Sequence, residues 1–200
     1  LWPTLPDFAV SSIQVNTQFQ ADPAAQTVQV DQFSFAMPGV NARFSGQAGY
    51  GEKPAYQGQG SFDINLAEAA RLFPSWEEQY RPAGTLQGSG SWGETGGEAA
   101  LSLQGGAWRI AHMGEFSGVS AEFSARENAA WNQGNATGSL HGKLNGESFE
   151  SRLTLVQNPQ ALDADVSLRA GRVALPPLAQ PALAEPADGF VADTSLPVTQ

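Results

Sequence analysis

The chain has 200 residues, a formal charge of −10 and no cysteine, and its Lys and Arg amount to only ten scattered side chains. Phosphate backbones require clustered cations, so nucleic acid is not expected as a partner, and neither is a polybasic contact with anionic headgroups. The lack of cysteine removes disulfides, thiolate zinc sites, iron–sulfur clusters and cysteine nucleophiles together.

Glycine at 22 and charged residues at 15% describe a chain rich in turns and poor in helical surface, which leans towards all-β. Leu1-Trp2-Pro3 carries neither an initiator methionine nor a signal pattern, so the chain is expected to be an internal piece of a longer protein. No run approaches the ~18 apolar residues of a membrane-spanning helix, and any anchor is expected outside this piece. A cysteine-free composition fits a periplasmic protein without fixing the compartment.

In chain order, the first signal is period-two alternation of apolar residues. Ile13, Val15 and Phe19 alternate in one strand. Val28 and Val30, then Phe33, Phe35 and Met37, alternate in the next, with a phase slip at Asp31-Gln32 where a bulge restores the facing. Ala21 to Ala25 and Met37-Pro38-Gly39 read as turns. Val40, Ala42, Phe44, Gly46, Ala48 and Tyr50 share one side of a third strand, opposite Asn41, Arg43, Ser45 and Gln47. After a turn at Gly51-Glu52-Lys53-Pro54, Tyr56, Gly58, Gly60, Phe62, Ile64 and Leu66 return in phase. These four strands are expected to form a meander.

Leu66, Ala69, Ala70, Leu72 and Phe73 then recur at helical spacing. One short helix is expected near residues 65–73, with Asn65 as N-cap and Pro74 as stop. Ser75 to Tyr80 continues as a helical turn or loop.

Alternation resumes with Leu86, Gly88, Gly90 and Trp92, then Leu101 and Leu103, then Trp108 and Ile110, then Val119, Ala121 and Phe123. Gly93 to Gly97 and Gly105-Gly106 read as short linkers between these strands. Three further strands are expected at Ala136 to Leu140, Leu144 to Leu155 and Leu162 to Leu168, separated by Gly142 and by Asn158-Pro159-Gln160. Residues 1–175 therefore read as one β-segment in two sub-blocks, 1–92 and 98–175, around the helix at 65–73. Residues 176–200, with five prolines, read as a linker or edge segment.

Groups able to do chemistry are sparse. The histidines, His112 and His141, lack a companion nucleophile elbow, and Gly88-Ser89-Gly90-Ser91 falls short of that motif. Glu77-Glu78 and Asp163-Ala164-Asp165 are the candidate carboxylate pairs, the first on a polar helical turn and the second on the polar side of an alternating strand. Asp163-Ala164-Asp165 also lacks the glycine and terminal glutamate of a calcium loop. Gly58-Gln59-Gly60 lies inside a strand rather than at a strand-to-helix turn, which is where phosphate loops sit. No catalytic residue, metal site or cofactor is assigned, and the chain is not expected to be an enzyme.

What remains is the apolar face. Its candidate lining residues are Phe35, Val40, Phe44, Tyr56, Phe62, Ile64, Leu86, Leu101, Leu103, Trp108, Ile110, Phe123, Leu153, Leu155, Val166 and Leu168. Large side chains alternate there with glycine and alanine, whereas two interdigitating sheets demand bulk throughout. The mix is expected to leave room, either within a plain packed core or along a groove filled by acyl chains.

Two stretches carry a family resemblance. Phe62-Asp63-Ile64-Asn65-Leu66-Ala67-Glu68-Ala69-Ala70-Arg71-Leu72-Phe73-Pro74, followed by Ala83-Gly84-Thr85-Leu86-Gln87-Gly88-Ser89-Gly90-Ser91-Trp92, resembles a unit of AsmA-like and TamB-like proteins. That unit is a strand, a short helix, a proline, then a Gly-x-Leu-x-Gly-x-Gly strand. Val28 to Gly49 and Gly138 to Gly146 are similar to the repeating β-segments of that family, and the likeness spans residues 10 to 175. The resemblance implies an elongated, curled antiparallel sheet, a β-taco, belonging to an inner-membrane-anchored protein of the periplasm. It implies an apolar groove that moves phospholipid acyl chains between inner and outer membranes or supports outer-membrane assembly, with outer-membrane assembly proteins as partners. It implies no catalytic residues. The alternatives are a β-sandwich adhesion module using Trp92, Trp108 and Trp131 as glycan platforms, and an outer-membrane β-barrel.

Overall fold

Period-two alternation leaves little choice of secondary structure, and the computed structural model, which describes residues 12–51, 55–111, 113–128, 130 and 132–171, is built almost wholly of antiparallel strands. In chain order these are β1 (Gln14–Asp22), β2 (Thr27–Met37), β3 (Val40–Gly49), β4 (Tyr56–Asn65), α1 (Leu66–Ala70), α2 (Pro74–Tyr80), β5 (Ala83–Gly93), β6 (Gly96–Ile110), β7 (Gly114–Asn128), β8 (Gly134–Leu144), β9 (Glu147–Gln157) and β10 (Leu162–Ala170). They form one ten-stranded sheet in which spatial order equals chain order, so β1 and β10 are its two edges and the sheet is not closed. The all-β architecture read from the sequence is present. The expected turn at 51–54 and the Pro-rich stretch at 176–200 lie largely or wholly outside the described residues, as do His112 and Trp131.

Turn chemistry explains the meander. Asp22 Oδ1 accepts hydrogen bonds from the Ala24 and Ala25 amides at 2.9 and 3.0 Å, an Asx turn that closes the β1–β2 hairpin. Pro38-Gly39 joins β2 to β3 with Gly39 at φ 74°, and the backbone of Asn65 and Ala69 lies directly against Gly39, where a Cβ has no space. The Gly39 carbonyl accepts from the Asn65 amide at 2.8 Å, which ties the β2–β3 hairpin to the start of α1.

The bulge expected at Asp31-Gln32 is found, as a register shift between Val30 and Phe33 against β3. Three other expectations change. Gly105-Gly106 is not a linker: β6 runs through it, and Trp108 and Ile110 belong to the same strand as Leu101 and Leu103. Gly105, where a linker was read, takes φ 61° and Gly118, on the facing strand, φ 56°, so each glycine bulges its strand, because positive φ costs glycine nothing. Gly142 likewise sits inside β8, and the hairpin that follows is Asn145-Gly146, with φ 53° and 88°, the two-residue loop matching strand twist. The single helix becomes two. Asn65 caps α1, its Oδ1 accepting from the Glu68 amide at 3.0 Å, while Pro74 opens α2 as its first residue.

The buried apolar residues among those described are Ala70, Leu72, Val119 and Leu144, with Leu72 only 2% exposed. Ala70 lies in α1 and Leu72 between the two helices, which touch β4, β5 and β6. Apart from these two helices no second layer covers the sheet among the described residues, so neither a sandwich nor a closed barrel is formed by them.

Candidate functional site

Residues directly opposite one another on paired strands point to the same side of a sheet, so the register assigns every side chain to a face. One row runs Phe35, Ala42, Phe62, Gly88, Leu101, Phe123, Gly138, Leu153, Val166 from β2 to β10. Its neighbour runs Met37, Val40, Ile64, Leu86, Leu103, Ala121, Leu140, Ser151, Leu168 across the same strands. Flanking the first row on the same face is a third, Phe33, Phe44, Gly60, Gly90, Ala99, Ala125, Ala136, Leu155, Ala164. Val15, Thr17 and Phe19 of β1 extend the face to the edge opposite Phe35, Phe33 and Val30.

The structure thus places all the candidate lining residues on one face. Tyr56 joins through Ala48. Trp108 and Ile110 stay in phase because the bulge at Gly105 in β6 is matched by that at Gly118 in β7. The face also holds Phe33, Phe116, Leu140 and Phe149, which the candidate set lacks. Phe116 is hidden from a period-two reading by the bulge at Gly118, which shifts the phase of β7 between Ser117 and Ser120. Phe149 alternates in sequence with Ser151, Leu153 and Leu155, and its pairing with Gly142 in β8 sets it on the same face.

The expectation that glycines leave room is corrected over much of this face, because rings from neighbouring strands occupy the glycine positions. A Cβ on Gly88 meets the Phe62 ring, one on Gly58 meets the Trp92 indole at 2.7 Å, and one on Gly142 meets Phe149 at 3.1 Å. Glycine here is a seat for an aromatic ring, a packing that also protects the backbone beneath. Phe44 and Trp92 stack with centroids 5.5 Å apart over β4, and Trp108, Phe116 and Phe149 form a second aromatic series at 5.2 and 6.1 Å.

Relief remains where the row of small residues is unroofed. A hollow of about 490 Å³ has Gly90, Ala99, Ala125 and Ala136 in its lining, with Trp92 and with Leu155 and Leu162. Large side chains of the face are open to solvent, including Tyr56, Trp92 and Leu101 in its body and Phe19, Val166 and Leu168 towards its edges.

The opposite face is mainly polar, with Val156 and Ala100 among its exceptions. Gln87 Nε2 donates to Asp63 Oδ2 at 2.7 Å, Gln59 Nε2 to Ser45 Oγ at 3.3 Å, and Arg126 pairs with Glu98 at 3.1 Å, all across neighbouring strands. Exposed pairs of this kind contribute about 0–1 kcal/mol each. The two larger hollows, about 1130 and 980 Å³, lie on this side, where Ser61, Ser89, Ala100, Ser124 and Thr137 form a row of short side chains. The second of them touches residues from β2 to β8, so the sheet bends enough for strands six places apart to share a depression.

Groups weighed for catalysis are not assembled. His141 is exposed on the polar side opposite Glu150, Asp163 and Asp165 are exposed on β10, and Glu77 on α2 lies 3.8 Å from Arg71. No group of three or more His, Cys, Asp or Glu suited to a metal ion occurs among the described residues. No described helix is long and apolar enough to cross a membrane.

Comparison with family models, with curated proteins and with solved structures finds no match to this chain. The functional argument therefore rests on the two faces of the sheet.

Proposed function

We propose that the apolar face binds lipid acyl chains, and that the chain is a segment of an AsmA-like or TamB-like protein of the periplasm. In that reading an inner-membrane anchor lies outside this piece, and the whole protein moves phospholipid between inner and outer membranes or supports outer-membrane assembly. The observation that carries the proposal is an apolar face ten strands wide with no second sheet over it among the described residues. Exposed apolar surface costs about 25 cal/mol per Å², and patches beyond a few hundred Å² mark a surface meant to be occupied. Rings seated over glycines make this surface low and continuous, which suits flexible hydrocarbon laid along it. The chain's −10 charge favours recognition of acyl chains over anionic headgroups.

The test is photocrosslinking in cells from Phe44 and Leu153, compared with Ser45 and Thr154 on the opposite face. Lipid adducts from the first pair and none from the second support the reading. Equal labelling of both faces, or native mass spectra of the purified chain free of phospholipid, would remove it.

A further inference from the structure

Asn145 is the only asparagine in the sequence followed by glycine, and the pair forms the two-residue loop between β8 and β9. Both residues are exposed. Nothing lies within 4 Å of a Cβ built on Gly146, and the Gly146 amide has no hydrogen-bond partner among the described residues. A backbone nitrogen so placed is unshielded by any side chain of its own. It follows directly on a carboxamide carbon that it can attack, closing a five-membered ring.

The fold holds that carboxamide in place. Its Oδ1 accepts from the Glu115 amide at 2.9 Å, its Nδ2 donates to the Met113 carbonyl at 3.2 Å, and the Asn145 backbone amide donates to the Glu115 carbonyl at 2.9 Å. Gly114, at φ 119°, leaves the space that the group fills, since a Cβ there meets the carboxamide carbon, oxygen and nitrogen together. A carboxamide held at both ends can neither turn its carbon towards the Gly146 nitrogen nor pyramidalise its own nitrogen to leave. Reaction therefore waits on the loss of both hydrogen bonds, which slows it roughly tenfold to hundredfold.

We propose that Asn145-Gly146 is a deamidation site kept unreacted by its seat on Gly114, and that its conversion irreversibly releases the β8–β9 hairpin from the start of β7. Hydroxide takes the Gly146 amide proton, and the nitrogen forms a bond to Asn145 Cγ. The Cγ–Nδ2 bond breaks, and Nδ2 departs as ammonia with a proton from water. Water then opens the cyclic imide at either carbonyl, giving aspartate or, with the chain rerouted through the side-chain carboxyl, isoaspartate. Nothing is oxidised or reduced. Neither product fits the seat: aspartate sets an acceptor against the Met113 carbonyl, and isoaspartate adds a methylene to a two-residue loop. The release reaches the apolar face, because Leu144, paired with Phe116, is only 8% exposed and Phe116 meets Phe149 of β9 edge to face.

The unsubstituted chain is kept at mildly alkaline pH, folded or unfolded in urea, and its peptides are mapped for asparagine, aspartate and isoaspartate at position 145. Asn145 is expected to persist roughly tenfold to hundredfold longer in the folded chain. Gly114→Ala, checked for its fold by far-UV circular dichroism, displaces the side chain and brings conversion close to the unfolded rate. Should that variant not fold, the comparison within the unsubstituted chain decides alone. Asn145→Asp, the product itself, lowers the urea midpoint and speeds exchange of the backbone amide at position 145. Three outcomes overturn the proposal: equal conversion in the folded and unfolded chains, conversion in folded Gly114→Ala no faster than in the unsubstituted chain, or an Asn145→Asp chain with midpoint and exchange unchanged. None bears on lipid binding, so failure here leaves that reading standing.

Discussion

Phe44 and Trp92 stack face to face, 5.5 Å between centroids and 17° between planes, although their strands are separated by β4. They meet because β4 contributes Gly60 opposite Phe44 and Gly58 opposite Trp92, so no side chain stands between the rings. The pairing stabilises by about 0.5–1.5 kcal/mol beyond area burial, and it turns two isolated aromatics into continuous apolar surface.

Gly58→Val is expected to destabilise the chain by about 1–3 kcal/mol through overpacking, since even a Cβ there lies 2.7 Å from the indole. Gly118→Ala costs about 1–2 kcal/mol for a different reason: no atom lies within 4 Å of the added methyl group, but the residue sits at φ 56°. Urea midpoints separate the two causes. Replacement of Gly118 by Asn, which tolerates positive φ, recovers most of the second loss, whereas Trp92→Ala added to Gly58→Val relieves the first.

Asn145 ties the β8–β9 hairpin to the start of β7. Its Oδ1 accepts from the Glu115 amide at 2.9 Å and its Nδ2 donates to the Met113 carbonyl at 3.2 Å, while its own backbone holds φ 53°. Asn145→Ala is expected to cost about 1–3 kcal/mol. Hydrogen exchange locates the effect: the Glu115 amide, deprived of the side-chain acceptor, exchanges faster than it does in the unsubstituted chain, while amides in β3 and β4 are unaffected.

Asn65 caps a helix of only five residues, and so short a helix has little intrinsic stability. Asn65→Ala is expected to cost about 1 kcal/mol and Asn65→Asp only a few tenths. Thermal melts measure both, and equal losses would show that the cap geometry is irrelevant to the seating of Leu72.

These relationships differ in how far the residues announce them. The strands from Val40 to Gly49 and from Tyr56 to Asn65 are legible because alternation needs only neighbours in sequence, and their pairing follows from a short turn. The bulges at Gly105 and Gly118 are not, since glycine in a strand is compatible with a turn, a bulge or a seat for a ring, and only the partner strand decides. Asn145-Gly146 carried the strongest local hairpin signal in this stretch, yet the apolar Leu144 before it reads equally well as the start of the next strand. The placement of Phe62 over Gly88 and Trp92 over Gly58 depends on register between strands, and the larger hollows of the polar side depend on how the whole sheet bends. Neither is a property of any one segment.

Leu153 lies mid-row between Gly138 and Val166 on the apolar face, and Thr154 beside it faces the polar side opposite Thr137. If hydrocarbon occupies the face, Leu153→Lys removes the apolar contact of one leucine and sets a charge in its place, a loss of about 1.5–3 kcal/mol, or roughly a tenfold to hundredfold fall in phospholipid retained. Thr154→Lys adds the same charge one residue away, on a face already polar, and leaves retention unchanged. Native mass spectra of the two variants, matched for urea midpoint, make the comparison. Equal retention by both variants would mean that the lipid, if bound, lies elsewhere on the sheet.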